Sequence, residues 1–356
     1  MNIRYEKLRA EMRRLGLDAV WITSEANHQY FSDFHNPDGW MLVTAEKSYV
    51  FADFRYVEAA KNEVFPDCTV ILPESGRKKY LLPLIEEHKI RTVGYEDADL
   101  TCRAYNALKA DLTECEFVPL GAVLEEIRSI KTEDEIEKMI RAQRIAEAAL
   151  DHVLKMMNYN MTEIEVAAEL DYFMKRNGAD KPGFETIAVS GTASSVPHGV
   201  PRNVKLERGF LTMDFGACVD GYRSDMTRTV VIGKADADMR KQFNTVLEAQ
   251  LAALDTIAEG KKNADMDKVA RDIIDNAGYK GAFGHSLGHG VGLKIHELPN
   301  LSWAVGERTL RAGEIVTVEP GIYLEGKYGC RIEDMVVVEA GGNRNMTLFP
   351  KEMIEI

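Results

Sequence analysis

Residues 284–297 read GHSLGHGVGLKIHE, with His285, His289 and His296 interleaved among Gly284, Gly288, Gly290 and Gly292. His285 and His289 stand four apart, the spacing of a zinc-protease helix, but no glutamate follows the first histidine. Each glycine also costs a helix interior about 1 kcal/mol relative to alanine. The stretch therefore reads as a strand or loop that approaches a partner closely. A metal held here must take its other ligands from elsewhere in the chain.

A chain of 356 residues suits two domains. Its formal net charge of −13 opposes extended contact with a phosphate backbone, so nucleic acid is not an expected partner. Cys68, Cys102, Cys115, Cys218 and Cys330 form no CxxC pair and are odd in number, which argues against a disulfide framework and against a thiolate zinc site. The N-terminus begins as a charged amphipathic helix and no long apolar run follows, so the expectation is a cytoplasmic protein with no membrane partner.

Residues 1–125 alternate β-rich runs (DAVWIT, GWMLVT, SYVFAD, CTVILP, TVGYE) with helical ones near 4–15, 55–64 and 78–88, an α/β domain without a glycine-rich phosphate loop. The second domain, residues 126–356, opens on a capping box, Thr132 with Glu135; another, Thr162 with Glu165, starts the next helix. Two further helices are expected near 236–259 and 264–277. A helix pair followed by a β-rich segment thus occurs twice. TEIEVAAELDYFMKRNG and ADMDKVARDIIDNAG echo one another, which points to an internal duplication.

The β-rich segments hold the candidate ligands. In FLTMDFGACVDGYRSDMTRTVVIG, Asp220-Gly221 is a two-residue hairpin turn that sets Asp214 opposite Thr227, with Asp225 a diagonal neighbour on the same face. In EIVTVEPGIYLEGKYGCRIEDMVVVE, a five-residue loop centred on Gly326 sets Glu319 opposite Glu333, although Pro320 and Gly321 leave that register open. Taken singly, these acids also fit solvated positions on open faces. Together they would place four negative charges in one site, to be neutralised by two divalent cations or held as protonated acids. His289 adds a nitrogen ligand. Oxygen-rich ligation with one imidazole and no thiolate favours manganese, cobalt, iron or zinc over a structural zinc site.

The motifs VPHGVP, MDFGACVDGYRSDMTRTV, GHSLGHGVGLKIHE, VEPGIY and CRIED, in this order, resemble the proline-specific peptidases of the pita-bread fold: aminopeptidase P and prolidase, with methionine aminopeptidase and creatinase as relatives. The resemblance is strong over residues 128–350 and looser in the N-terminal domain, through YFSDF and FADFRYVEAA. It implies a creatinase-like α/β domain, residues 1–125, followed by an α+β pita-bread domain, residues 126–356, with a pseudo-twofold duplication. Asp214, Asp225, His289, Glu319 and Glu333 become ligands of two divalent ions, manganese with cobalt or zinc as alternatives, bridged by Asp225 and Glu333. His198 and His296 bind substrate and steady the tetrahedral intermediate, and Arg331 supports the carboxylates. His285 carries no assigned chemistry and is read as structural or as a support behind the ligands. Ser286 stands where many relatives have glycine, and Lys294 where an acid is frequent. The complete ligand set speaks against creatinase, and the extra domain against methionine aminopeptidase.

The implied activity is removal of the residue preceding proline from peptides, with Glu319 carrying the proton from water to the leaving nitrogen. A prolidase confined to Xaa-Pro dipeptides is the alternative; a binding scaffold and a C–N hydrolase of non-peptide substrates are the remaining ones. A proline-containing peptide and a second copy in a homodimer are the expected partners. The loop SDFHNPDGW, residues 32–40, is a candidate cap over the site. It lacks an arginine to clamp a free carboxylate, which favours the aminopeptidase reading.

Overall fold

The computed structural model describes residues 2–35, 38–73 and 76–356, so Asn36 and Pro37, in the candidate cap, lie outside the described residues. The chain divides into two compact units, Met1–Arg128 and Ser129–Ile356.

The first unit is a six-stranded mixed sheet with helices. Its strands are β1 (Ala19–Ile22), β2 (Trp40–Thr44), β3 (Ser48–Phe51), β4 (Cys68–Ile71), β5 (Thr92–Tyr95) and β6 (Glu116–Pro119), in the order β4-β3-β2-β1-β5-β6. The helices are α1 (Ile3–Leu15), α2 (Glu25–Ser32), α3 (Val57–Glu63), α4 (Lys78–Glu87), α5 (Cys102–Asp111) and α6 (Val123–Ser129). The five β-rich runs are all strands. The sequence reading missed β6, whose four residues include Glu116 and Pro119, and the short helices α2, α5 and α6. The start of α2 is set by Ser24, whose side chain accepts from the Asn27 N–H, while its aromatic content resembles a strand.

The second unit is built on two helix pairs, α7 (Glu133–Met156) with α8 (Glu163–Arg176) and α9 (Ala237–Thr256) with α10 (Asn263–Ile274). Both capping boxes are formed, at Thr132/Glu135 and Thr162/Glu165. Each helix pair covers its own apolar cluster. Ala146, Leu150 and Leu170 pack on Leu211, Met213 and Val230; Val246, Ala253 and Met266 pack on Val316, Val318 and Val336. This repeat is the pseudo-twofold duplication expected from the sequence.

The strands of this unit are β7 (Lys181–Pro182), β8 (Ile187–Ser190), β9 (Gly209–Phe215), β10 (Ala217–Val219), β11 (Tyr222–Arg223), β12 (Met226–Ile232), β13 (Gly288–Gly290), β14 (Glu297–Leu301), β15 (Ile315–Val318), β16 (Gly321–Leu324), β17 (Tyr328–Arg331), β18 (Asp334–Glu339) and β19 (Gly342–Asn345). They form sheets β12-β9-β8, β11-β10-β7, β14-β13-β15-β18-β19 and β16-β17. The first hairpin turns at Asp220 and Gly221, both at positive φ (50° and 80°), and Asp214 pairs with Thr227. The second closes at Leu324↔Tyr328, a three-residue loop rather than five. The loop is still centred on Gly326 (φ 70°), so the register is unaffected. Pro320 interrupts the ladder without shifting it, for Val318↔Asp334 lies on one side of the break and Gly321↔Arg331 on the other.

Among the described residues, no helix is long and apolar enough to cross a membrane.

Candidate metal centre

Strand alternation decides which side chains meet. Leu211, Met213 and Val230 point to the first helix pair, so Asp214, Thr227 and Thr229 share the opposite face. In the second hairpin Val316, Val318 and Val336 point to their helix pair, which turns Thr317, Glu319 and Glu333 the other way. Asp225, Glu319 and Glu333 all sit at interruptions of the ladder, and the freed backbone groups make other bonds. The Glu319 N–H donates to Leu287 O at 2.9 Å, and the Glu333 N–H to Thr227 O at 3.1 Å. This last bond joins the two hairpins. His289 lies in β13, where a side chain at Gly288 would fall on the Thr317 carbonyl; that close approach is what the glycine permits.

Asp225, His289 and Glu333 are buried, and each offers one ligand atom within 4.8 Å of the others. The His289 Nδ1 lies 3.1 Å from Gly290 O, which assigns the ring proton to Nδ1. The Nε2 lone pair then faces Asp225 Oδ2 at 3.6 Å and Glu319 Oε1 at 3.4 Å. Burial holds His289 down to about 4, with His296 lowering it further, so the ring brings no charge of its own at neutral pH. Acceptors thus face acceptors.

The carboxylates respond accordingly. Glu319 is pushed up to about 8, by burial first; Arg331 pulls it back and Asp214 adds to the rise. Asp225 and Glu333 are raised well above the carboxylate range, again by burial first, then by Asp214 and Glu319 around Asp225 and by Asp225, Glu319 and Asp214 around Glu333. Asp214 Oδ1 is buried and meets no hydrogen-bond donor. An orphaned oxygen, a lone pair aimed at two carboxylates, and acids that cannot all ionise together are the environment that divalent cations fit.

Arg331, 2% exposed, is a fixed positive charge beside the cluster. Opposed by burial, its charge is nevertheless held by Tyr323, Asp214, Glu319 and Glu333. Its Nη2 donates to Asp214 Oδ2 at 2.5 Å, Nη1 to Tyr323 OH at 2.7 Å, and Nε to Thr227 Oγ1 at 3.0 Å. Thr227 Oγ1 in turn donates to Glu333 Oε2 at 2.7 Å. Thr317 repeats the device, accepting from the His289 N–H at 3.0 Å and donating to Glu319 Oε1 at 3.2 Å. The sequence reading missed both threonines. The signal was available: Thr227 is the partner of Asp214 in the hairpin, and Thr317 stands two residues before Glu319, on the same face.

The cluster opens into a cavity of about 1020 Å³. His198, Asp214, Asp225, His289, His296, Glu319, Arg331 and Glu333 all line it, so every residue singled out in the sequence reaches one space. The His296 ring meets that of His289 edge to face at 4.3 Å. Its pKa is lowered, by burial first and then by His198. His285 lines the same cavity, with Nδ1 2.9 Å from Ser286 O and Nε2 3.0 Å from Tyr323 OH.

Comparison with known proteins supplies the relatives of this arrangement. Residues 137–340 match the profile of metallopeptidase family M24, and residues 4–130 that of the creatinase/prolidase N-terminal domain. An Xaa-Pro dipeptidase of Pyrococcus furiosus is 36% identical over 99% of this chain and 100% of its own length. The solved structure of an Xaa-Pro dipeptidase from Bacillus anthracis superposes with a TM-score of 0.95 at 37% identity, covering 99% of both chains. That of an X-Pro aminopeptidase from Thermotoga maritima gives 0.91 at 34% identity, covering 97% of this chain and 100% of the other.

Proposed function

We propose a function from one premise: the chain belongs to metallopeptidase family M24, and is a metallo-exopeptidase that works with divalent metal ions. Its reaction is hydrolysis of the Xaa-Pro bond at the N-terminus of proline-containing peptides. The observation that carries this reading is the convergence of His289 and four carboxylates, under-supplied with positive charge, on a cavity that three further imidazoles also line, those of His198, His285 and His296. Asp214, Asp225, His289, Glu319 and Glu333 would hold two divalent ions.

Manganese suits the oxygen-rich donor set, with cobalt or zinc as alternatives, and such ions supply Lewis acidity and lower the pKa of water toward about 7. The chain's own residues do the rest. Glu319 takes the proton from the attacking water and passes it to the leaving nitrogen. That nitrogen is tertiary in an Xaa-Pro bond and has no N–H to grip, so recognition falls on the carbonyl side. His198 and His296 donate to the developing oxyanion, where one such donor is worth about 10²–10³ in kcat. Arg331 and Thr227 keep Asp214 and Glu333 aimed.

For peptide length we favour the aminopeptidase reading. Among the described residues lining the cavity, Arg331 is the only guanidinium and it is committed to Asp214, Thr227 and Tyr323, which leaves no clamp in that lining for a free proline carboxylate. The prolidase reading keeps its place because several close relatives are named Xaa-Pro dipeptidase. The deciding experiment is hydrolysis of Xaa-Pro-Yaa tripeptides beside Xaa-Pro dipeptides with added manganese. Tripeptides are expected to be cleaved at least as efficiently; turnover of dipeptides alone makes the enzyme a prolidase. A homodimer in the cytoplasm completes the proposal, and the free cysteines fit a reducing compartment.

A further inference from the structure

Among the buried ion pairs that the proposed chemistry does not use is one beside His296. Lys131 and Glu297 have side chains only 1% and 2% exposed, and Lys131 Nζ donates to Glu297 Oε1 at 2.7 Å. They come from far apart in the chain. Lys131 immediately precedes the Thr132 cap of α7, and Glu297 immediately follows His296 as the first residue of β14.

What this pair fixes is the return of the glycine-rich stretch. The chain leaves β13 at Gly290, runs irregularly from 291 to 296, and re-enters the sheet at Glu297, which pairs with Gly290 across a register shift. The Glu297 carboxylate lies against Gly292, where any Cβ would collide with it, so the loop folds directly over the buried acid. Its Oε2 also accepts from the Lys294 N–H at 3.4 Å. His296 lies at the end of this loop, on the cavity wall. Its aim therefore depends on where Glu297 is anchored.

The geometry points to Lys131 and Glu297 as positioning residues for His296: their ion pair locks the loop 291–296 so that the imidazole faces the reacting carbonyl. A buried pair of this kind adds little net stability against apolar replacements, because desolvation offsets the attraction; its use is to enforce one arrangement. This rests on the role proposed above for His296.

The test is a mutant cycle read as kcat per metal-loaded, folded chain. Lys131→Met alone strands a buried carboxylate and can fail to fold, so the working variant is Lys131→Met/Glu297→Gln, which is neutral throughout and keeps a side chain over Gly292. Its metal content is expected to match the wild type, with kcat about 10-fold lower and KM changed less than twofold. In a His296→Ala background the same double change is expected to have no further effect on kcat. Wild-type kcat in the folded double variant overturns the inference, as do losses that multiply with His296→Ala. An unimpaired His296→Ala enzyme instead overturns the role of His296 itself.

Discussion

In the first half of the catalytic unit the second helix begins at Glu163, whose N–H donates to Val204 O while its carboxylate accepts from the Arg202 N–H at 2.9 Å. In the second half Asn263 occupies the same place; its N–H donates to Arg308 O, and its side-chain oxygen accepts from the Arg308 N–H at 3.1 Å. Met161 O and Lys261 O receive N–H groups from Leu206 and Leu310 in the same way. The duplication thus persists in main-chain bonds although the side chains have diverged. At the metal centre the divergence is larger. The first hairpin offers two short acids, one held by Arg331 from the other half; the second half offers two longer acids, His289 and His296. Symmetry determines where the donors stand, and unequal side chains determine what each can do: the half with the longer acids brings His289 and His296 to the cavity, and the other half brings His198.

The severest test of that division is to remove one shared carboxylate from each half. Asp225→Asn and Glu333→Gln should both abolish hydrolysis and lower the metal content below about two ions per chain, because in the proposed arrangement each would serve both ions. Activity in either variant at low metal breaks the pairing of the halves. Next come two histidines of the second half, His289 and His296. His289→Ala should lose metal, whereas His296→Ala should keep it and lower kcat by roughly 100-fold; metal analysis beside kinetics would expose a reversed assignment.

Arg331 is one link between the halves, and Arg331→Met strands the largely enclosed Asp214 carboxylate. Losing one member of a buried pair costs about 3–5 kcal/mol, so thermal unfolding of the metal-free variant should shift down by several degrees, and added divalent ions should recover part of the loss. The last effect expected is one of pH, spread over several units rather than seen at one condition. The native chain keeps the Glu319 proton up to about 8, while an unfolded glutamate has released it above about 4.5. The native state then binds more protons in that window, so the metal-free protein should lose stability as pH rises from about 5 to 8. The stabilisation by metal should grow over the same range, since cations displace those protons. A flat profile in unfolding scans would show that the second half does not hold its acid in this way.

How much of this was legible depended on the distance over which a signal acts. Asp220-Gly221 specifies its own turn, and the turn alone carries Asp214 to Thr227; capping boxes announce α7 and α8 within four residues. The strand EFVP and the helices α2, α5 and α6 were lost because short elements carry little periodicity and take their identity from the sheet they join. The loop at Gly326 was misjudged in length but not in centre, which is why Glu319 and Glu333 still meet. The Lys131–Glu297 contact spans 166 positions and obeys no local pattern. Only the fold brings it together.

The interruptions that carry Asp225, Glu319 and Glu333 have a historical consequence. Because these side chains stand outside the strand ladders, replacing them with neutral residues breaks no sheet pairing and relieves the crowding of buried acids. Selection for sturdiness alone would therefore erase the catalytic cluster and leave the scaffold standing. Only the demand for the reaction opposes that drift, so a copy freed from the demand would become a tougher and silent protein of the same shape.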